Sequence, residues 1–205
     1  MNDKPKGYYS RILAVDCETS GFFSGQDDPS YNPQTKQEYQ AVAWGLIVAD
    51  ADTLRPIDKL YLEIQWNGVS LWDSGAEAIH GLSKQHLQQN GVTEEPAVIE
   101  IANLILKHWG PNISNTSFLG HNVVSFDLPF FKRLIRKFGI ELKYSHRHVD
   151  TNSIGFATVN TYNSDDLFDA VGLESRGHHN ALEDAQYALE VVRRVRKLWK
   201  IFVEV

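Results

Sequence analysis

An α/β domain built on a mixed sheet is the fold class that this sequence predicts, and three observations predict it. Short apolar runs with strand character come early and close together. Helical and strand-like segments then alternate to the end of the chain. The length, 205 residues, suits one domain with a single sizeable core, and no composition shift marks a boundary within it. We therefore expect one domain over residues 10–205, preceded by a flexible polar leader over residues 1–9.

Arg11 to Val15 is a short apolar run ending at Asp16, the pattern of a buried strand. Ala41 to Ala49 and Leu60 to Trp66 are predicted as two further strands, with Asp50-Ala51-Asp52 opening the connection between them. The segment from Gly21 to Gln40 is polar, rich in Gly, Pro, Asp and Gln, and long for a strand connection. Such segments are lids, binding loops or disordered stretches. From Pro96 to Trp109, Val98, Ile101, Leu104, Ile105 and His108 recur at helical spacing, with Glu94 and Glu95 ahead of them where the helix dipole favours negative charge. Ser117 to Gly120 predicts a strand, Leu128 to Phe138 a helix stopped near Gly139, and His148 to Asp150 a short strand running into another helix. Ser164 is placed to cap a helix through Val171, with Gly172 as its stop. In the last helix Asn180 and Glu183 form a capping-box pattern, and Ala181, Ala185, Ala188, Val192, Val195 and Trp199 supply its apolar face.

Composition excludes several classes. The 42% hydrophobic and 22% charged residues are those of an ordinary globular chain. No internal repeat or low-complexity tract is present. The first ten residues lack the apolar stretch of a signal peptide, and no run approaches the roughly 20 residues needed to span a bilayer. A single cysteine, Cys17, cannot form an internal disulfide and fits a reducing cytoplasm. No His-x-x-x-His or Cys-x-x-Cys spacing suggests a zinc site among the eight histidines. The net charge of −6 opposes a nucleic-acid partner until metal binding is considered. Two divalent cations held by the carboxylates described next would remove most of that excess. The basic residues also cluster, as Lys132, Arg133, Arg136 and Lys137, and as Arg193, Arg194, Arg196, Lys197 and Lys200. A solvated helix face is the plainer reading of the second cluster; the first, close behind Asp127, is the better candidate for phosphate contact.

The chemistry lies in scattered acids and one histidine. Side chains two apart on a strand share a face, so Asp16 and Glu18 project together while Cys17 points the other way. Such a pair can grip a metal ion, or can simply sit on an exposed edge strand. Asp127 follows a polar turn where a helix begins, which suits either a helix cap or a ligand. Asn122 is expected to tie that turn to backbone groups. Asp184 falls in the first turn of the last helix and His179 just before it, on a mobile approach. Such a pairing suits a general base beside a metal ligand, because imidazole titrates near neutrality and hard divalent ions prefer oxygen. His178 is read as a surface histidine.

These residues form a pattern. Asp16-x-Glu18-Thr19-x-Gly21, His121-Asn122-x-x-x-Phe126-Asp127, Val149-Asp150-Thr151 and His179-x-x-x-x-Asp184-Ala185 resemble, in order and spacing, the motifs of the DEDDh (DnaQ-like) 3′→5′ exonucleases. Ala78-Ile79-His80-Gly81-Leu82 is similar to that family's substrate-contacting segment. Residue 180, where the sister DEDDy group carries tyrosine, is Asn, so the chain resembles the histidine type.

The resemblance implies a ribonuclease-H-like, mixed five-stranded sheet flanked by helices. It also implies two divalent ions, Mg²⁺ or Mn²⁺, roughly 4 Å apart. Asp16 would bridge them, Glu18 and Asp184 would complete the first site, and Asp127 would act directly or through water. His179 would be the general base, and nucleoside 5′-monophosphates would leave single-stranded 3′ ends, with DNA slightly favoured over RNA. Thr19, Gly21, His80, Gly81, Leu82, Asn122 and Phe126 are carried over as substrate contacts. Phe22 or Phe23 would stack on the terminal base, where the ribonuclease T branch has a phenylalanine; packing of the long loop onto the core is the alternative for both. The Gly21–Gln40 connection is longer than in compact members. It could restrict access to single strands, distinguish RNA from DNA, or be a tolerated insertion. Homodimers occur in parts of the family. A proofreading subunit bound to a polymerase is a second reading, disfavoured because the sequence stops at its last helix without a tether. A catalytically silent nucleic-acid-binding module is a third, disfavoured because all five active-site residue types are present.

Overall fold

A computed structural model describes residues 10–22, 38–110, 116–140, 143–175 and 177–203 of the chain. The expected leader, Phe23 and most of the Gly21–Gln40 connection lie outside the described residues. Five strands, β1 (Arg11–Thr19), β2 (Ala41–Asp50), β3 (Pro56–Glu63), β4 (Phe118–Gly120) and β5 (Val149–Asp150), form one sheet in the order β3-β2-β1-β4-β5. The β1–β2 and β2–β3 pairs are antiparallel, whereas β1–β4 and β4–β5 are parallel. Helices α1 (Ser74–His80), α2 (Lys84–Asn90), α3 (Glu94–Trp109), α4 (Asp127–Lys137), α5 (Thr151–Val159), α6 (Ser164–Ala170) and α7 (Ala181–Val203) flank it. The mixed five-stranded architecture is the one expected.

Alternation along β1 divides the interior. Leu13, Val15 and Cys17 join Trp44, Leu46 and Val48 of β2 against Val98, Ile101 and Ile105 of α3 and Phe130 and Phe131 of α4. Ile12 and Ala14 point the other way, joining Ile47, Ala49 and Leu119 against Ala185, Ala188, Leu189 and Val192 of α7. The sheet is thus buried on both faces, as its near-continuous apolar central strands require. Asp16 and Glu18 continue the face turned toward α7. Because β1 is central and pairs with Gly45 and Ala43 at these positions, the exposed-edge alternative for them falls.

Four expectations need correction. The third strand runs from Pro56 to Glu63 rather than from Leu60 to Trp66. It is an edge strand, and Pro56 opens it, where a missing N–H is tolerated. Ser164 is not the cap of α6; the Asn163 side chain takes that place, accepting from Asp166 N at 3.0 Å. Asp127 caps nothing, since the N-cap position of α4 is Phe126. The apolar face of α7 ends before Trp199, which is 69% exposed. Arg196 already donates to the Ala51 and Asp52 carbonyls of the β2–β3 turn, so Trp199 lies beyond the sheet it was expected to cover. Helices α1 and α2 were not anticipated; at seven residues each they are too short for apolar periodicity to show. Their caps, Asp73 and Ser83, are the signal that could have found them.

Candidate functional site

The site forms where β1 outruns its parallel neighbour. β4 pairs only with Leu13 and Ala14, so the rest of β1 lacks a strand on that side. The N–H of Cys17 is satisfied instead by Asp127, whose Oδ1 accepts it at 2.8 Å across a span of 110 residues. On the opposite side, β2 continues alongside Asp16 and Glu18. Gly45, paired with Asp16, lies under the first turn of α7: a side chain there would collide with the Ala181 backbone. This close approach brings Asp184 down onto the β1 carboxylates.

Asn180 fixes that turn. Its Oδ1 accepts from Leu182 N at 3.0 Å and Glu183 N at 3.2 Å, as an N-cap does. Asp16, Glu18 and Asp184 then each offer an oxygen within 4.8 Å of the others. Glu18 and Asp184 are buried, and among the described residues no Lys or Arg lines the cleft they share. A hard-oxygen donor set of this density, without basic compensation, fits a divalent cation. Asp127 stands beside the group and outside it. Its carboxyl is raised above its ordinary range chiefly by burial, against the lowering effect of the Cys17 hydrogen bonds. Burial likewise raises the Cys17 thiol, helped by the charges of Asp127 and Asp16, so the thiol stays protonated and unreactive.

His179 Nδ1 lies 3.4 Å from Asp184 Oδ2. Its approach is anchored, where a mobile one was expected: His179 N donates to the Ile79 carbonyl at 3.1 Å, tying it to α1. His178 rests against Gly81. The cleft is small, about 190 Å³, and its walls include Phe22, His80, His121, Phe126 and Phe168.

The other expected contacts divide in two. Thr19, Phe22, His80 and Phe126 line the cleft. Phe22 is half exposed there. Thr19 Oγ1 donates to the Gly21 carbonyl at 2.5 Å, holding the chain as it leaves β1. His80 Nδ1 accepts from Leu82 N at 3.0 Å, so its Nε2 carries the proton, and burial lowers its basicity. Gly21, Gly81, Leu82 and Asn122 border the cleft without lining it. Gly21 accommodates the Tyr39 ring, and Gly81 turns the chain out of α1 at φ +73°. Asn122 ties its turn through its main chain rather than its side chain. Its N–H donates to Asp150 Oδ1 at 2.8 Å and its carbonyl accepts from Ser125 N and Phe126 N.

Three residues of the site's framework were not singled out from sequence. Ser20 donates through Oγ to the Leu71 carbonyl and accepts through it from Gln40 N, joining the ends of β1, β2 and the approach to α1. Phe168 forms a wall from a remote helix, edge-on to His121. Gly45 is the third, and its only signal is a glycine inside a strand.

A family model described as exonuclease (RNase_T) matches residues 13–192. No curated protein matches the sequence. Among solved structures, the zinc-bound exonuclease I–ssDNA complex of E. coli is similar at a TM-score of 0.70 and 18% identity, covering 93% of this chain and 41% of that one. E. coli exonuclease I with a dA16 oligonucleotide is similar at 0.71 and 17%, covering 92% and 41%. Its complex with dT13 gives 0.71 and 17%, covering 94% and 43%. The chain thus spans less than half the length of these proteins.

Proposed function

Since this chain belongs to the exonuclease family, we propose that it removes nucleotides one at a time from single-stranded 3′ ends, with DNA slightly favoured over RNA. The observation that carries the proposal is the convergence of Asp16, Glu18 and Asp184 with His179 in one cleft of an exonuclease domain. The E. coli exonuclease I structures that share this fold hold single-stranded DNA, which supports that substrate class.

Asp16, Glu18 and Asp184 would hold the divalent ions, two of Mg²⁺ or Mn²⁺, with Asp127 contributing at the margin. When bound, the ions would supply charge neutralisation at the scissile phosphate and acidify a bound water. The chain's own groups account for the rest. His179 faces Asp184 through Nδ1, which leaves Nε2 to take the proton from the attacking water. The new bond joins the water oxygen to phosphorus, and the bond to the 3′ oxygen of the preceding nucleotide breaks. That oxygen gains a proton, a nucleoside 5′-monophosphate leaves, and a shortened strand remains. Phe22, exposed on the wall, would stack on the terminal base. Phe126 and His80 would close the other sides and limit water around the phosphate.

The test uses 5′- and 3′-labelled DNA and RNA oligonucleotides with Mg²⁺ or EDTA. Metal-dependent release of mononucleotides from the 3′ end is expected, and its loss in Asp16→Ala. Wild-type turnover by Asp16→Ala would overturn the metal assignment. Metal-dependent binding without release from any substrate would instead support a silent binding module.

A further inference from the structure

The four cations of α4, grouped in the sequence as one candidate for phosphate contact, differ in their surroundings. Arg133 is tied to Glu38 at 2.6 Å and to the Tyr39 carbonyl, and Lys137 to Glu94. Of the basic residues of α7, Arg193 and Arg194 are engaged on Glu190 and Arg196 on two carbonyls. Lys132 and Arg136 have no carboxylate partner among the described residues. One turn apart, they share a face, and both line a depression together with Lys143. Its remaining described lining is Ile135, Gly139, Ile140 and Tyr144, so among the described residues no acid lines it beside the three cations. Lys132 Nζ is held over the Tyr144 ring, 5.4 Å from its centroid.

This patch is linked to the neighbourhood of the cleft through Tyr39. Lys132 and Arg136 also line a groove of about 1060 Å³ that reaches Tyr39. The Tyr39 ring packs on Gly21, next to the cleft-lining Phe22. Along α4, which begins at Asp127 beside the site, the two residues lie about 7.5 and 13.5 Å along the axis from its start. On a chain of net charge −6, three cations around one depression, two of which also line the adjoining groove, call for a polyanion.

We propose that Lys132, Arg136 and Lys143 bind phosphodiester groups of the strand on the 5′ side of the nucleotide held in the cleft. The assignment rests on the exonuclease reading, and it divides the labour electrostatically. The cleft takes one nucleotide through metal and aromatic contacts, while the groove along α4 and the depression beside it retain the body of the strand. Substrates too short to reach the groove gain nothing from it.

The test measures the affinity of an oligothymidylate of about 12 nucleotides and of a trinucleotide in EDTA over a range of salt concentrations. The triple substitution Lys132→Gln, Arg136→Gln, Lys143→Gln is expected to make the log–log salt slope for the long strand shallower by about 2. The trinucleotide's affinity and its Mg²⁺-dependent hydrolysis should stay at wild-type values. The double substitution Arg136→Gln, Lys143→Gln leaves the Lys132–Tyr144 contact intact and should lose about 1.4 of the slope. An unchanged slope for a folded variant would overturn the proposal. So would an equal loss of binding to polyglutamate, which would mark a docking face for acidic proteins. Failure of the wild type to hydrolyse either oligonucleotide would sink the exonuclease reading separately, because the salt slope is read without turnover.

Discussion

Consecutive side chains at Asp16, Cys17 and Glu18 meet two environments because a strand turns each residue to the opposite face. Cys17 enters the α3–α4 core, and its N–H, left without a β4 partner, draws Asp127 alongside. The two carboxylates face Asp184 on the other side. His179 is attached to this cluster through one ring nitrogen only. The proton-acceptor role proposed for it is therefore separable from metal binding. His179→Ala should lower kcat by a factor of about 10² to 10⁴. Mn²⁺ affinity, measured by calorimetry, should remain at the wild-type value. A parallel loss of Mn²⁺ binding would make His179 a ligand instead. Phe22 makes a second residue-level prediction. Phe22→Ala should weaken binding of a trinucleotide by about 1–3 kcal/mol if its ring stacks on a base. Unchanged affinity would return Phe22 to a packing role.

At the scale of elements, α7 carries Asp184 into place through two local features. The Asn180 cap shapes its first turn, and Gly45 lets that turn rest on β2. Asn180→Ala should cost about 1 kcal/mol in unfolding free energy. Gly45→Val should act differently, lifting the first turn and withdrawing Asp184 from Asp16 and Glu18. Loss of Mn²⁺ affinity with a far-ultraviolet spectrum close to wild type is the expected result, whereas unaltered Mn²⁺ affinity would show that the close approach is dispensable. The short elements were the least legible. Two seven-residue helices leave almost no periodic trace, although capping chemistry marks their starts. Long elements such as α3 and α7 announced themselves through apolar spacing, but spacing could not say that the sheet ends before Trp199.

For the molecule as a whole, stability depends on closing α3 and α4 over one sheet face and α7 over the other. No described helix is long and apolar enough to cross a membrane. Asp58 ties the edge strand β3 to the end of α3, accepting from His108 Nε2 and Lys107 Nζ, each at 2.8 Å. The His108 hydrogen bond, and then that of Lys107, lowers the Asp58 carboxyl from 3.8 to about 2. A depressed folded-state value contributes stability above the unfolded value and loses it as pH falls. Asp58→Asn should therefore be less stable than wild type in urea above about pH 4. The gap should close between about pH 4 and 2, as wild-type Asp58 protonates. A gap independent of pH across that window would assign the difference to packing alone.

Local chemistry in the sequence was enough to determine the α/β class, the facing of Asp16 and Glu18, the start of α7, and the ordered acidic and histidine motifs. Each depends on neighbours within a few residues: strand alternation, capping or motif spacing. The tertiary structure alone decided that β1 is central and that β4 stops short, leaving Cys17 N–H for Asp127. It alone decided that Gly45 receives the turn bearing Asp184. It also paired Arg133 and Lys137 of α4 with Glu38 and Glu94, far away along the chain, and left Lys132 and Arg136 without a carboxylate partner among the described residues. Contacts between residues dozens of positions apart have no local signature, and in this chain they set the distances between carboxylates and the direction in which its positive charge faces.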